Sequence, residues 1–138
     1  MAWAILDTSV YIGHWERGLY TDTLELVRRR FIVRHSAVVL SELRRGARTR
    51  EAERRVAELL ARAHVCWTPT LADWWETGRL VKVVGDAESW DVSKRREFQN
   101  DALIALSALR HGATVVTANR ADFDRLSRRL DVRIWPVR

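Results

Sequence analysis

Short β-rich runs alternate with longer helical runs along all 138 residues, and this alternation constrains the fold more than any other feature. Apolar and β-branched runs at 2–6, 31–34, 65–68, 114–117 and 132–135 read as strands. Between them, helical patterns occupy 21–30, 36–46, 51–63, 71–84, 100–111 and 122–129. Thr8 or Ser9 can cap a further helix directly after the first strand, Ser36 caps the run that Gly46 stops, and Gly112 ends the run at 100–111. The polar stretch 86–96 reads as a loop. Strands separated by helices need crossover connections, which place helices on both faces of a mainly parallel sheet. The expected class is therefore α/β. Neither Pro69 nor Pro136 marks a boundary and no repeat or low-complexity linker intervenes, so residues 1–138 are expected to form a single domain.

In folds of this kind, sites form beyond the carboxyl ends of the strands. Asp7 follows the first strand in AILDTSV, and Asn119 with Asp122 follows the 114–117 strand in VVTANRADF. Each has a cheaper reading as a helix cap, worth roughly 1 kcal/mol. For Asp7 that reading is weakened because Thr8 and Ser9 can both do the capping. Glu42 lies on a helix one turn from Val38 and Val39, with Gly46 one turn on, while Arg44 and Arg45 point elsewhere. A glutamate on an apolar stripe is uncommon unless it is paired or bound to a cation. Asp101 repeats the pattern, with Ile104, Ala105 and Ala108 at i+3, i+4 and i+7. The helix macrodipole favours an aspartate in a first turn, but it does not explain one that faces inward. Thr117 can orient Asn119 or Asp122 through its hydroxyl, and Asp124 reads as a solvated neighbour. Carboxylates gathered from these separated places need a positive charge among them, and a hard divalent cation is the usual one.

Composition narrows the partners. The chain carries a formal net charge of +6, nearly all of its positive charge arginine, because Lys82 and Lys94 are the only lysines. Arginine forks suit phosphate groups, although a GC-rich coding sequence gives the same bias. Arg28, Arg29 and Arg30, then Arg44, Arg45 and Arg48, then Arg95 and Arg96 are the candidate contacts, most of them expected to be solvated helix faces. The seven tryptophans suggest an apolar surface that meets a partner, with Trp15, Trp74 and Trp75 able to stack on bases or to pack at an interface. Cys66 is the only cysteine, which excludes an internal disulfide and a cysteine-based zinc site. His14, His35, His64 and His111 show no spacing that suggests a catalytic pair. No apolar run approaches the ~18 residues of a membrane span. MAWAILD meets an aspartate before any signal-like stretch forms, so a cytoplasmic location is expected.

Together ILDTSV, VVLSELRRG, NDALIALSALRHGATVVT and TANRADF make the chain similar to PIN-domain nucleases, and more narrowly to VapC-type toxins of bacterial toxin–antitoxin pairs. These pieces span nearly the whole chain in the family's order. The resemblance implies a three-layer α/β/α fold around the parallel sheet, a magnesium or manganese site and ribonuclease activity. It implies hydrolysis of RNA phosphodiesters by a metal-activated water, leaving a 5′-phosphate and a 3′-hydroxyl. Asp7, Glu42 and Asp101 are by that likeness the metal-binding acids, with Thr8, Ser9 and Thr117 in support. The fourth place departs from the pattern, since Asn119 stands where many relatives have aspartate and Asp122 follows close by. Either of them is left as the fourth site residue. The implied partners are RNA, a cognate antitoxin and a second copy in a homodimer, with no membrane. Two neighbouring readings are a housekeeping PIN nuclease that processes RNA and a non-catalytic RNA- or partner-binding module. An aspartyl phosphatase would need a second aspartate where Ser9 stands.

Overall fold

Five strands form one all-parallel sheet in a computed structural model that describes residues 1–138. They are β1 (Ala2–Leu6), β2 (Phe31–Ser36), β3 (Cys66–Trp67), β4 (Thr114–Thr117) and β5 (Arg133–Pro136), in the order β3-β2-β1-β4-β5. Seven helices connect and flank them: α1 (Thr8–Arg17), α2 (Thr21–Arg30), α3 (Ala37–Gly46), α4 (Arg50–Arg62), α5 (Leu71–Glu88), α6 (Val92–His111) and α7 (Arg120–Ser127). The expected three-layer α/β/α architecture with its parallel sheet is the one observed.

Side chains alternate across the central strand, as the two-residue period of a strand requires. Ala4 and Leu6 of β1 face a core shared with Val10 of α1, and with Leu24 and Val27 of α2. Ile5 faces the opposite, larger core, which gathers Val39 and Leu43 from α3, Leu80 from α5 and Phe98, Ile104 and Ala105 from α6. β4 is buried on both faces, with Val115 in the larger core and Val116 in the smaller. This explains its uninterrupted TVVT sequence. β1 lies between β2 and β4, so the strand order reverses there and a crevice opens between the carboxyl ends of β1 and β4. The amide of Asp7 donates to the carbonyl of Val116 at 2.9 Å, which ties the two strand ends together at that crevice.

The largest departure from expectation is at 86–96, where the chain is mostly helical. α5 runs on to Glu88 and α6 begins at Val92, so only three residues separate them. Ser89 takes a left-handed conformation (φ 55°) to end α5, and the Asp91 carboxylate accepts from the Lys94 amide to start α6. A charged surface ladder, Lys82–Asp86 at 3.1 Å and Arg95–Asp86 at 3.0 Å, replaces the apolar periodicity that normally identifies a helix. No helix is long and apolar enough to cross a membrane.

Candidate metal centre

Asp7, the first residue beyond β1, is 3% exposed, and its carboxylate is held on three sides. One oxygen accepts from the Thr8 amide at 2.7 Å. The other accepts from the Ser9 hydroxyl at 2.7 Å and the Thr117 hydroxyl at 2.9 Å. Asp7 is thus the N-cap of α1, a role the sequence had left to Thr8 or Ser9. Ser9 and Thr117 pass the order on: Ser9 accepts from the amide of Ala118, and Thr117 from that of Asn119. Burial pushes the Asp7 carboxyl above its ordinary range, against these hydrogen bonds, which favour the charged form.

Glu42 reaches the same crevice from α3, whose start is fixed by the Ser36 cap. It is half-buried, and its carboxylate accepts from the Thr8 hydroxyl at 2.9 Å. Thr8 therefore bridges Asp7 and Glu42 through its backbone and its side chain. Burial raises the Glu42 carboxyl, and the charge of Asp7 adds to the rise.

Asp101 arrives from the middle of α6 with 8% exposure, beside the fully buried Ile104, Ala105 and Ala108 expected on its face. Asn119 is the N-cap residue of α7, yet its side chain makes no cap bond. Its amide nitrogen instead donates to Asp101 at 3.1 Å and to Asp122 at 3.2 Å. Asn119 is therefore a bridge between two carboxylates. Asp101 is the most perturbed acid of the group: burial raises its carboxyl well above the ordinary range, and Asp7, Asp122 and Glu42 add to the rise in that order. Asp101 thus feels the other three carboxylates, and Asp124 stands apart in a surface pair with Arg120.

Two residues of this site were not expected from the sequence. Lys94 of α6 places its ammonium 2.5 Å from one oxygen of Asp122, and Arg125 of α7 lies 3.2 Å from the other. Lys94 is seven residues, two helical turns, before Asp101, so the two share a face of α6. That spacing becomes visible once 92–96 is seen to be helical. The other candidate basic groups divide: Arg45 and Arg96 line a polar hollow beside Glu42, while Arg95 is tied to Asp86 and Arg29 to Glu25.

Whether this set suits a divalent ion depends on its chemistry and its spacing. All four acids offer hard oxygen donors. As the side chains stand, no three of them form a ready-made ligand cluster. The bridging donors account for this: Thr8 links Asp7 to Glu42, and Asn119 links Asp101 to Asp122, leaving two pairs. One oxygen of Asp101 is engaged by Asn119 alone and the other has no partner. A magnesium-like ion keeps several of its waters and can reach some carboxylates through them, so Asp101, Asp7 and Glu42 fit such an ion by the chemistry of their donors.

Comparison with known proteins follows the same lines. VapBC2 of Rickettsia felis, solved bound to a DNA fragment from its promoter, is 21% identical, with a TM-score of 0.66 over 99% of each chain. VapBC-1 of nontypeable Haemophilus influenzae is 20% identical, with a TM-score of 0.67 over 97% of each chain. DNA-bound VapBC of Salmonella typhimurium is 22% identical, with a TM-score of 0.64 over 99% of this chain and 98% of that one. At such identities the likeness establishes a shared fold. No curated protein sequence matches the chain. The sequence profile of the PIN domain matches residues 4–129, which takes in every acid described above, and the chain belongs to the PIN-domain family.

Proposed function

We propose that this protein is a metal-dependent ribonuclease and the toxin of a VapBC-type toxin–antitoxin pair. The observation that carries the reading is the meeting of Asp7, Glu42, Asp101 and Asp122 at the crevice between β1 and β4, with the charge of Asp101 answered by no cation in contact with it. Bound there, a magnesium or manganese ion supplies a water of lowered pKa and a positive charge for the scissile phosphate. The chain's own residues do the rest. Asp101, Asp7 and Glu42 would hold the ion. Thr8, Ser9 and Thr117 fix Asp7 and favour its charged form, and the Asn119 amide links Asp101 to Asp122. No histidine is needed.

An acidic pocket repels RNA unless its rim is basic. Arg45 and Arg96 beside Glu42, with Lys94 and Arg125 around Trp90, supply such a rim and favour a path for the RNA backbone across the carboxyl ends of the strands. An antitoxin segment fits the apolar furrow lined by Ile12, Trp15, Leu43, Ala47 and Val56, which opens beside Glu42. Leu71 and Trp75, 85% and 84% exposed on α5, offer apolar surface for the second copy of a homodimer.

The test is to incubate the purified chain with total RNA in manganese and in chelator, and to map the new 5′ ends. Cleavage is expected in manganese only, lost in Asp101→Asn. Equal cleavage in chelator, or full activity in the variant, refutes the reading.

A further inference from the structure

Asp122 is the one acid of the pocket whose charge is already met. Its side chain is 2% exposed. One oxygen accepts from Lys94 at 2.5 Å and from Asn119 at 3.2 Å, and the other accepts from Arg125 at 3.2 Å. The two cations differ in how they are held. Arg125 is also engaged by Glu88 at 3.5 Å and lies over Trp90, 5.4 Å from the ring centre, so it serves to fix Asp122. Lys94 is one-third exposed (33%), and its ammonium lies over the same ring, 5.1 Å from its centre. Glu97 is 3.9 Å from it, beyond hydrogen-bond reach, so two of its three N–H groups have no partner.

We propose that Lys94 is the pocket's built-in second cation: its ammonium stands at Asp122 where a second divalent ion would sit, so the pocket takes one divalent ion, at Asp101, and Lys94 itself meets the RNA phosphate. Two considerations carry this. A second divalent ion at Asp122 would have to displace Lys94 and face Arg125, both in contact with the carboxylate it would need. The residue type also agrees: in a chain whose basic residues are otherwise arginine apart from Lys82, this position carries the compact point charge that most resembles a small cation.

The inference rests on the metal-dependent reading above and is tested separately from it. The full chain is titrated with manganese, free ion being followed by its paramagnetic resonance, as wild type, Lys94→Met and Lys94→Arg. Wild type and Lys94→Arg are expected to saturate at one ion per chain, and Lys94→Met to take two. In chelator, the affinity of Lys94→Met for a single-stranded RNA is expected to lose about 0.7 from its logarithmic salt slope, the share of one phosphate contact. Two ions in wild type, one ion in Lys94→Met, or an unchanged salt slope overturns the inference while leaving the nuclease reading intact. A wild type that takes no manganese overturns both. If Lys94→Met does not fold, Lys94→Gln keeps a donor for Asp122 without the charge and carries the same expectations.

Discussion

Removing the charge of Asp101 should stabilise the metal-free protein, because burial and three neighbouring carboxylates all weigh against that charge. Asp101 and Asp122 each accept from the same Asn119 nitrogen, at 3.1 and 3.2 Å, which confines the two oxygens to within about 6 Å of each other. At an effective dielectric near 20, two like charges at that separation repel by roughly 3 kcal/mol. Lys94, 2.5 Å from Asp122, lies within about 9 Å of Asp101 and so returns about 2 kcal/mol of attraction or more. Burial, the largest influence on Asp101, and the charges of Asp7 and Glu42 all weigh on the side of repulsion. Asp101→Asn keeps the shape but exchanges a charge-assisted hydrogen bond for a neutral one, a loss of about 1 kcal/mol. The Asp122 repulsion, the Lys94 attraction and this loss nearly cancel, so the sign is set by burial and by Asp7 and Glu42; a net gain of roughly 1–2 kcal/mol from them would be about 3–8 °C in melting temperature for a domain of this size. The assay is thermal unfolding in chelator and again in excess manganese. In manganese the order should invert, because a ligand at a hundred times its dissociation constant adds about 2.7 kcal/mol to the form that binds it. If Asp101→Asn melts below wild type in chelator, the carboxylate serves the fold and the repulsion argument fails.

The same charges give a pH dependence with a definite sign. Asp7, Glu42 and Asp101 all have raised carboxyls in the folded chain. Their contribution to stability is therefore fully present below the ordinary carboxyl values and lost as pH rises through the folded ones. His35 and His111, both lowered chiefly by burial, act in the opposite direction. The comparison that isolates Asp101 is wild type against Asp101→Asn in chelator, since both carry the same histidines. The melting-temperature gap should narrow as pH falls from about 8 to about 5, and a gap that widens contradicts the assignment. Asp7→Asn should abolish RNA cleavage as well, with a smaller gain in stability than Asp101→Asn. Its second oxygen accepts from Ser9 and Thr117, which an amide nitrogen cannot do, and that loss of about 1–2 kcal/mol offsets the relief of a buried charge; a gain in melting temperature in chelator larger than that of Asp101→Asn contradicts this.

What the sequence made legible was the part of the site set by strand ends and helix faces. Asp7 and Asn119 each stand directly after a short apolar run, and any parallel sheet delivers such residues to its carboxyl edge. The inward face of Asp101 was readable from Ile104, Ala105 and Ala108, all fully buried. Glu42 was half legible: its stripe includes buried Val39 and Leu43, but the residue itself lies at the rim of the site. What stayed hidden depended on surface charge. Between the buried anchors Val84 and Phe98, the helices at 86–96 offer the solvent a face of ion pairs, and helical periodicity in apolar residues vanishes there. With that helix unread, Lys94 had no face and no partner.

The choice between Asn119 and Asp122 as the fourth site residue, open in the sequence, becomes a division of labour in the fold. An aspartate at position 119 would put a further negative charge about 3 Å from the oxygens of both Asp101 and Asp122, a repulsion that a single divalent ion does not offset. The amide reverses the effect, because its one nitrogen donates to both acids and holds them at a fixed distance without adding charge. Asp122 then has a different task. Paired with Lys94 on one oxygen and Arg125 on the other, it holds cations of the protein at the edge of the pocket. Asn119 and Lys94 thus act in the same direction: each keeps the negative charge on the α7 side of the crevice down, and what remains unmet is carried by Asp101 with Asp7 and Glu42. A pocket arranged in this way has its strongest unmet demand for positive charge at one place.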